Sequence, residues 1–401
     1  MKYFYLAIIL LIICSTGCND QKKSSSDPGT ASAENQSNTK SFVAEPQVVS
    51  EKEIKTLSIG EKAPEFNLPG IDGKFYSLED FDKAKALVVV FTCNHCPTAQ
   101  AYEDRLISVT EDYQDKNVAV VAISPNSPLS LLYDELGYSD LGDDYEEMKI
   151  RAKDKKYNFP YLYDGDTHEA SIKYGPVATP HAFVFDQERE LRYVGRLDGS
   201  EKPGSANAED LRTAIDAVLV DNKVNTPVTK TFGCSIKWAW KNEWKEKVYA
   251  QWENKPVELN EINENGIKNL LKNDSEKLRL INIWATWCGP CLIEYPEFII
   301  MQRMFGGRDF EFISISADKP DQKEKALKFL NQKNSAVTNY IFNQENTYAL
   351  IEAVDPDWQG ALPYTALVEP GGKKVHVQQG IIDPLELRKI IVEHPMMGRY
   401  Y

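Results

Sequence analysis

Two pairs of cysteines share one spacing, Cys93-Asn94-His95-Cys96 and Cys288-Gly289-Pro290-Cys291. Two intervening residues at the start of a helix bring the sulfurs within bonding distance, so each pair can open and close a disulfide against a partner thiol. The attacking species is the thiolate, and an ordinary cysteine is mostly protonated near neutrality. A helix N-terminus corrects this, because its unpaired N–H groups and its dipole favour negative charge. The spacing therefore predicts Cys93 and Cys288 as attacking sulfurs, with Cys96 and Cys291 reaching back to resolve the mixed disulfide. His95 can stabilise the Cys93 thiolate by a hydrogen bond or by positive charge, which would make the first pair the stronger oxidant. Four thiolates could instead hold zinc, or the pairs could be inert disulfides. Zinc pairs usually sit on adjacent short loops, whereas a domain's length of chain separates these, so no metal and no cofactor beyond the sulfurs is expected. His168, His181, His376 and His394 show no metal-like clustering. Cys234, in Gly233-Cys234-Ser235, is an unpaired thiol that can relay electrons, resolve a sulfenic acid, or simply be buried as a small apolar residue.

The elements around each pair repeat in the same order. Each pair follows an apolar run, Ala86–Phe91 or Leu278–Trp284, with the length and β-branched content of a buried strand. A helical segment comes next, then a second apolar strand at 118–123 or 310–315. A helical connector leads to Thr179-Pro180-His181 or Leu362-Pro363-Tyr364, each opening another strand, and each half closes with an amphipathic helix near 206–220 or 384–393. Alternating strands and helices, run through twice, predict an α/β chain of two tandem domains, each a mixed sheet flanked by helices. Between them Trp238, Trp240, Trp244, Val248 and Trp252, set among Lys and Glu, predict an amphipathic connecting helix packed on a domain.

Composition is that of a soluble globular chain, and the formal charge of -14 over 401 residues argues against a nucleic-acid partner. Residues 1–18 read as an export signal. Lys2 precedes an apolar run from Tyr3 to Ile13, shorter than the roughly 20 residues a membrane span needs, and Ser15, Thr16 and Gly17 lead to Cys18. Residues 19–50, rich in Ser, Asn, Gln, Lys and Thr, read as a flexible tether.

Trp287-Cys288-Gly289-Pro290-Cys291 resembles the active-site motif of thioredoxins, and Ala361-Leu362-Pro363-Tyr364-Thr365 resembles their cis-proline loop. Asn282, Glu294 and a helical insertion near 322–333 point to the TlpA-like branch. The first half opens with Ile59-Gly60-Glu61-Lys62-Ala63-Pro64-Glu65-Phe66 and Gly70-Ile71-Asp72-Gly73-Lys74, and resembles the redoxin or peroxiredoxin-like branch of AhpC/TSA type. True peroxidases of that branch place a Thr three residues before the reactive Cys; Cys93 takes that place relative to Cys96, so strong peroxidase activity is not expected. Cys18 is similar to the lipidated cysteine of bacterial lipoproteins.

The resemblance implies thioredoxin-like domains at 57–220 and 257–394, joined by a connector at 221–256. It implies that Pro180 and Pro363 are cis, with Thr179 and Leu362 offering a backbone edge to an incoming extended chain. It also implies that Glu294 accepts a proton beside the second pair, where the first half has Ala99. The activity implied is thiol–disulfide exchange in the cell envelope, facing the periplasm and anchored by lipid. Its partners would be envelope protein thiols, apocytochromes c among them, and a membrane electron donor. A thiol peroxidase and a non-catalytic, lipid-anchored chaperone or scaffold are the alternatives.

Overall fold

The computed structural model describes residues 53–398, so the expected signal, tether and lipidation at Cys18 lie outside the described residues. A hairpin of β1 (Asn67–Pro69) and β2 (Phe75–Ser77) precedes a five-stranded sheet. That sheet contains β3 (Ala86–Phe91), β4 (Val118–Ser124), β5 (Tyr161–Tyr163), β6 (His181–Phe185) and β7 (Leu191–Gly195), in the order β5-β4-β3-β6-β7. The strands β3, β4 and β5 are parallel, whereas β6 and β7 turn antiparallel. Its helices are α1 (Pro97–Tyr113), α2 (Tyr145–Lys155), α3 (Glu169–Tyr174) and α4 (Glu209–Leu219).

Continuous apolarity in β3 follows from cover on both faces. Val88 and Val90 pack with Leu106 and Val109 of α1 and with Leu211 and Ile215 of α4. Leu87, Val89 and Phe91 pack on the other side with Phe66, Tyr174 and Phe183. The strand therefore holds its C-terminal end, and the cysteines after it, at a fixed point above the sheet.

The second body follows α5 (Asn242–Glu253) and contains β8 (Asn260–Ile262), β9 (Leu278–Trp284), β10 (Phe310–Ser316), β11 (Thr338–Phe342), β12 (Tyr364–Val368) and β13 (Lys374–Gln379). Their order is β13-β12-β9-β10-β11-β8, with β8 to β11 mutually parallel and β12 and β13 antiparallel. The helices α6 (Glu264–Lys272), α7 (Gly289–Phe305), α8 (Lys323–Gln332), α9 (Thr347–Val354) and α10 (Pro384–Glu393) flank it. Here Leu278 and Leu280 face Phe298 and Phe305 of α7, while Ile281 and Ile283 face Leu350 and Trp358. Among the described residues no helix is long and apolar enough to cross a membrane.

The connector differs from expectation. Its first part is built into the first body: Val224 joins the core, and β7 gains a further rung where Val194 N–H donates to Pro227 O and Thr229 N–H donates to Val194 O. The packed body thus runs past 220 as far as Lys241. Trp238 is extended rather than helical, because Lys237 N–H donates to Asn126 Oδ1 and Ala239 N–H donates to His168 Nε2. Its ring stacks on Trp240 at 4.8 Å, and both lie against the His168 imidazole. Helix α5 starts only at Asn242.

The loop at 125–144 joins the two bodies. Leu131 and Leu136 enter the core formed by α7, and the Arg308 guanidinium donates to Gly137 O at 2.6 Å while lying over the Tyr138 ring.

Candidate active site: two sulfur centres

The two pairs sit differently on their helices, and proline decides how. A proline in the first helical turn sacrifices an N–H that has no partner there anyway. Pro97 follows the second cysteine of the first pair, so α1 begins at Pro97 and Cys96 is its N-cap. Pro290 lies between the cysteines of the second pair, so α7 begins at Gly289 and Cys288 is its N-cap. The expectation that Cys93 occupies the positive helix end is therefore corrected: Cys96 does.

In the first centre three sulfurs meet the cis-proline loop. The Thr179–Pro180 bond is cis. Cys93 Sγ lies 3.1 Å from Thr179 Oγ1, and Cys96 Sγ lies 3.2 Å from Thr179 O. Cys234 N–H donates to Cys96 Sγ at 3.4 Å. Burial opposes ionisation of Cys96, but hydrogen bonds with the Cys234 and Cys93 thiols, the His95 charge and the Ala99 N–H outweigh it, and its pKa falls well below the usual thiol value. Cys93 moves the opposite way, raised by burial and then by Cys96 and Asp143. Cys234 is raised as well, first by its hydrogen bond to Cys96 and then by burial. Cys96 is thus the most readily ionised of the three thiols, although in this arrangement its S–H donates to Thr179 O.

His95 is buried, and its task differs from the expected one at Cys93. Its Nδ1 lies 2.5 Å from Asp143 Oδ2. The same carboxylate accepts from Asn94 N–H, His95 N–H and Asn126 Nδ2. Burial disfavours the imidazolium, but Asp143 outweighs it and raises the His95 pKa. Burial likewise opposes the Asp143 carboxylate, and His95 and Asn126 hold it below its ordinary range. The charge so maintained acts on Cys96. Cys93, His95 and Asp143 also bring one ligand-type atom each within 4.8 Å of one another, the one such group among the described residues. With its carboxylate already engaged by imidazole, amide and backbone, this group reads as an ion-paired brace for the helix start.

In the second centre Cys288 and Cys291 are joined in a disulfide, and Cys291 N–H points at Cys288 Sγ. The Leu362–Pro363 bond is cis. Trp287, directly before Cys288, is 66% exposed. Glu294, three residues after Cys291 and on the same helix face, is buried. It accepts from Ile382 N–H at 2.9 Å and from Asn282 Nδ2 at 3.3 Å. Burial pushes its pKa up to about 7, against the smaller opposing pull of these two donors. Asn282 is fixed in turn by Thr365 Oγ1.

The structure brings Cys93, Cys96, His95, Thr179 and Cys234 into one centre, while Cys288, Cys291 and Glu294 lie along the first two turns of α7 and Leu362 packs against the core cluster that contains the two cysteines. Sequence reasoning missed Asp143 and Asn126. Asp143 stands next to Asp144, which caps α2 with Glu147, and that capping pattern was the one local signal that this acidic pair had structural work.

A family model described as the AhpC/TSA family matches residues 59–194 and again residues 253–377. The thiol:disulfide interchange protein HelX of Rhodobacter capsulatus is 31% identical over 99 residues, covering 24% of this chain and 49% of that protein. The thiol-disulfide oxidoreductase ResA of Bacillus subtilis is 27% identical over 100 residues, covering 25% of this chain and 51% of that protein. The chain thus spans about half the length of these curated relatives. A solved structure of an uncharacterized conserved protein from Geobacillus kaustophilus is 35% identical, covering 46% of this chain and 94% of that one, with a TM-score of 0.41. Matched by that family model over most of both halves, this chain belongs to the AhpC/TSA family.

Proposed function

We propose that the protein is a thiol–disulfide oxidoreductase of the bacterial cell envelope that reduces or exchanges disulfides through Cys288–Cys291 and Cys93–Cys96. The observation that carries this reading is the second centre: a disulfide at the start of α7, next to the exposed Trp287, with a carboxyl group one turn on whose pKa is near 7. In the reduced state the Cys288 thiolate attacks a substrate disulfide, and one substrate sulfur leaves and takes up a proton. Cys291 gives its proton to Glu294, attacks Cys288 Sγ and releases the second substrate sulfur. Two electrons have then passed from the cysteine pair to the substrate.

The names of the relatives support disulfide interchange as the reaction class. Envelope protein thiols, including those of apocytochromes c, are the proposed substrates, with a membrane dithiol donor upstream. Lipidation at Cys18 would hold the chain at the membrane facing the periplasm, and the reading involves no cofactor beyond the sulfurs and no nucleic acid. Insulin reduction with dithiothreitol as donor tests it: the wild type accelerates the reaction and Cys288→Ser abolishes the acceleration. Equal inactivity of both proteins favours a non-catalytic scaffold.

One observation favours peroxidase chemistry as a second reading, namely the thiolate-prone Cys96 at the N-terminus of α1. Rapid hydrogen-peroxide consumption lost in Cys96→Ser would promote it.

A further inference from the structure

The backbone edge at Thr179 is already occupied. Thr179 N–H donates to Cys234 O at 2.9 Å and Cys234 N–H donates to Thr179 O at 3.2 Å, a reciprocal antiparallel pair. An extended chain added to a strand edge makes such a pair. Here the added chain is the protein's own connector.

Several features hold it there. Gly233 has φ +143°, and a Cβ at that position would stand 1.9 Å from Thr179 O, so only glycine lets the two backbones approach this closely. Thr231 Oγ1 donates to Pro180 O at 2.8 Å on one side. On the other, Lys237 exchanges backbone and side-chain bonds with Ser127 and Asn126. Cys93 and Cys96 are almost wholly covered, at 2% and 0% exposure. At the second centre, among the described residues, no strand is paired with Leu362.

We propose that Cys234 is the third redox cysteine of the first centre, carried on a built-in strand that occupies the substrate's place, so that Cys96 exchanges its bond between Cys93 and Cys234. The proposal rests on the thiol–disulfide reading of that centre. With the strand displaced, a disulfide of the partner protein first oxidises the Cys93 and Cys96 thiols and is itself reduced to two thiols. Cys234 then attacks Cys96 Sγ, giving up its thiol proton as it does so. The Cys96–Cys234 bond forms, the Cys93–Cys96 bond breaks, and Cys93 leaves as a thiolate that takes up the proton Cys234 gave up. No electrons are gained or lost in this second step, and its reverse restores the first bond. Cys96 is placed for both bonds: it packs with Cys93 and Cys234 in one cluster, and its Sγ accepts the Cys234 N–H at 3.4 Å.

The test uses the full-length protein equilibrated with glutathione and glutathione disulfide, blocked with an alkylating agent and digested with trypsin. In the wild type, the peptide carrying Cys93 and Cys96 should be found linked to the peptide carrying Cys234, and the linkage should vanish on reduction and in Cys234→Ser. Cys93→Ser should give the linked species as the main oxidised form, whereas Cys96→Ser should give none. A wild type that forms Cys93–Cys96 but never links to Cys234 overturns this inference alone, and absence of both bonds overturns the redox reading of the first centre with it. One tightly bound zinc ion per chain that blocks all three thiols from alkylation would also overturn it. Because the wild type carries the main measurement, a variant that misfolds does not remove the test.

Discussion

Replacing Glu294 by Gln should make the protein more stable at alkaline pH and leave it nearly unchanged at acidic pH. The side chain is 4% exposed, and its carboxyl pKa is about 7 against an ordinary 4.5. A folded-state pKa above the unfolded value means that the folded chain keeps a proton the unfolded chain has released. Stability is then full below about pH 4.5, falls as pH rises through the window to about 7, and stays lower beyond it. A displacement of about 2.5 units at about 1.36 kcal/mol each amounts to about 3 kcal/mol. Gln has no proton to lose. It can keep the bond from Ile382 N–H through its carbonyl oxygen, and Asn282 can turn its own oxygen toward the new amide. The assay is thermal unfolding of wild type and Glu294→Gln at about pH 5 and about pH 8. About 2.5 kcal/mol of this falls between these two pH values, so for a body of this size the gap between the two midpoints should widen in favour of Gln by about 5–10 °C from the lower pH to the higher. A gap independent of pH would refute the argument, because it would mean that Glu294 is ionised in the fold at neutrality and cannot take the Cys291 proton by being poised near 7.

Asp143→Asn removes the carboxylate that raises the His95 pKa beside Cys96, so the pH profile of Cys96 alkylation, followed by mass spectrometry in a Gly233→Ala background that uncovers the sulfur, should move upward by about one unit or more. The same change breaks a buried ion pair and should cost about 3 kcal/mol in denaturant unfolding. Gly233→Ala, forced into φ +143° and into Thr179 O, should lower stability by about 2 kcal/mol or more and expose Cys96 to alkylating agents. The first centre should be more oxidising than the second by about 30 mV or more, equivalent to ~1.4 kcal/mol, because the His95–Asp143 pair favours the Cys96 thiolate and Gly289 and Pro290 supply no counterpart. Redox titration with alkylation and mass spectrometry of both pairs checks this, and equal potentials would remove that role from His95.

The strands that precede the cysteines were legible because β3 and β9 are covered on both faces and write that burial directly into unbroken apolar runs. The cis-proline loops and the two-body plan were legible from motif order. The helix register was written in the sequence too, in Pro97 against Pro290, but spacing of the cysteines alone hides it. The partner of His95 was not legible: Asp143 reaches it from a loop across 48 residues, and no periodicity or motif marks such a contact. Cys234 stayed open among three roles because its position depends on backbone pairing with Thr179, and side-chain types say little about backbone pairing. Trp240, Trp244, Val248 and Trp252 recur at helical spacing, yet the amides on either side of Trp238 are spent on Asn126 and His168, so tertiary bonds hold Trp238 outside the helix. The Trp238 and Trp240 rings now lie on the first body, which makes tryptophan fluorescence a mixed reporter of both centres.

The strand that covers Cys96 comes late in the chain. Every element of the first sheet, and its last helix α4, is complete by Leu219, whereas the residues that seal the sulfurs are 231–237. A chain made at about 5–20 residues per second emerges N-terminus first, so the sheet can assemble while its sulfurs stay uncovered for an interval on the order of a second or more. In that interval the pair is open to whatever oxidant or thiol the newborn chain meets, and the bond it carries when Gly233 and Cys234 close over it is set by timing as well as by equilibrium. Chain order thus lets the first centre meet its surroundings before Gly233 and Cys234 close over it.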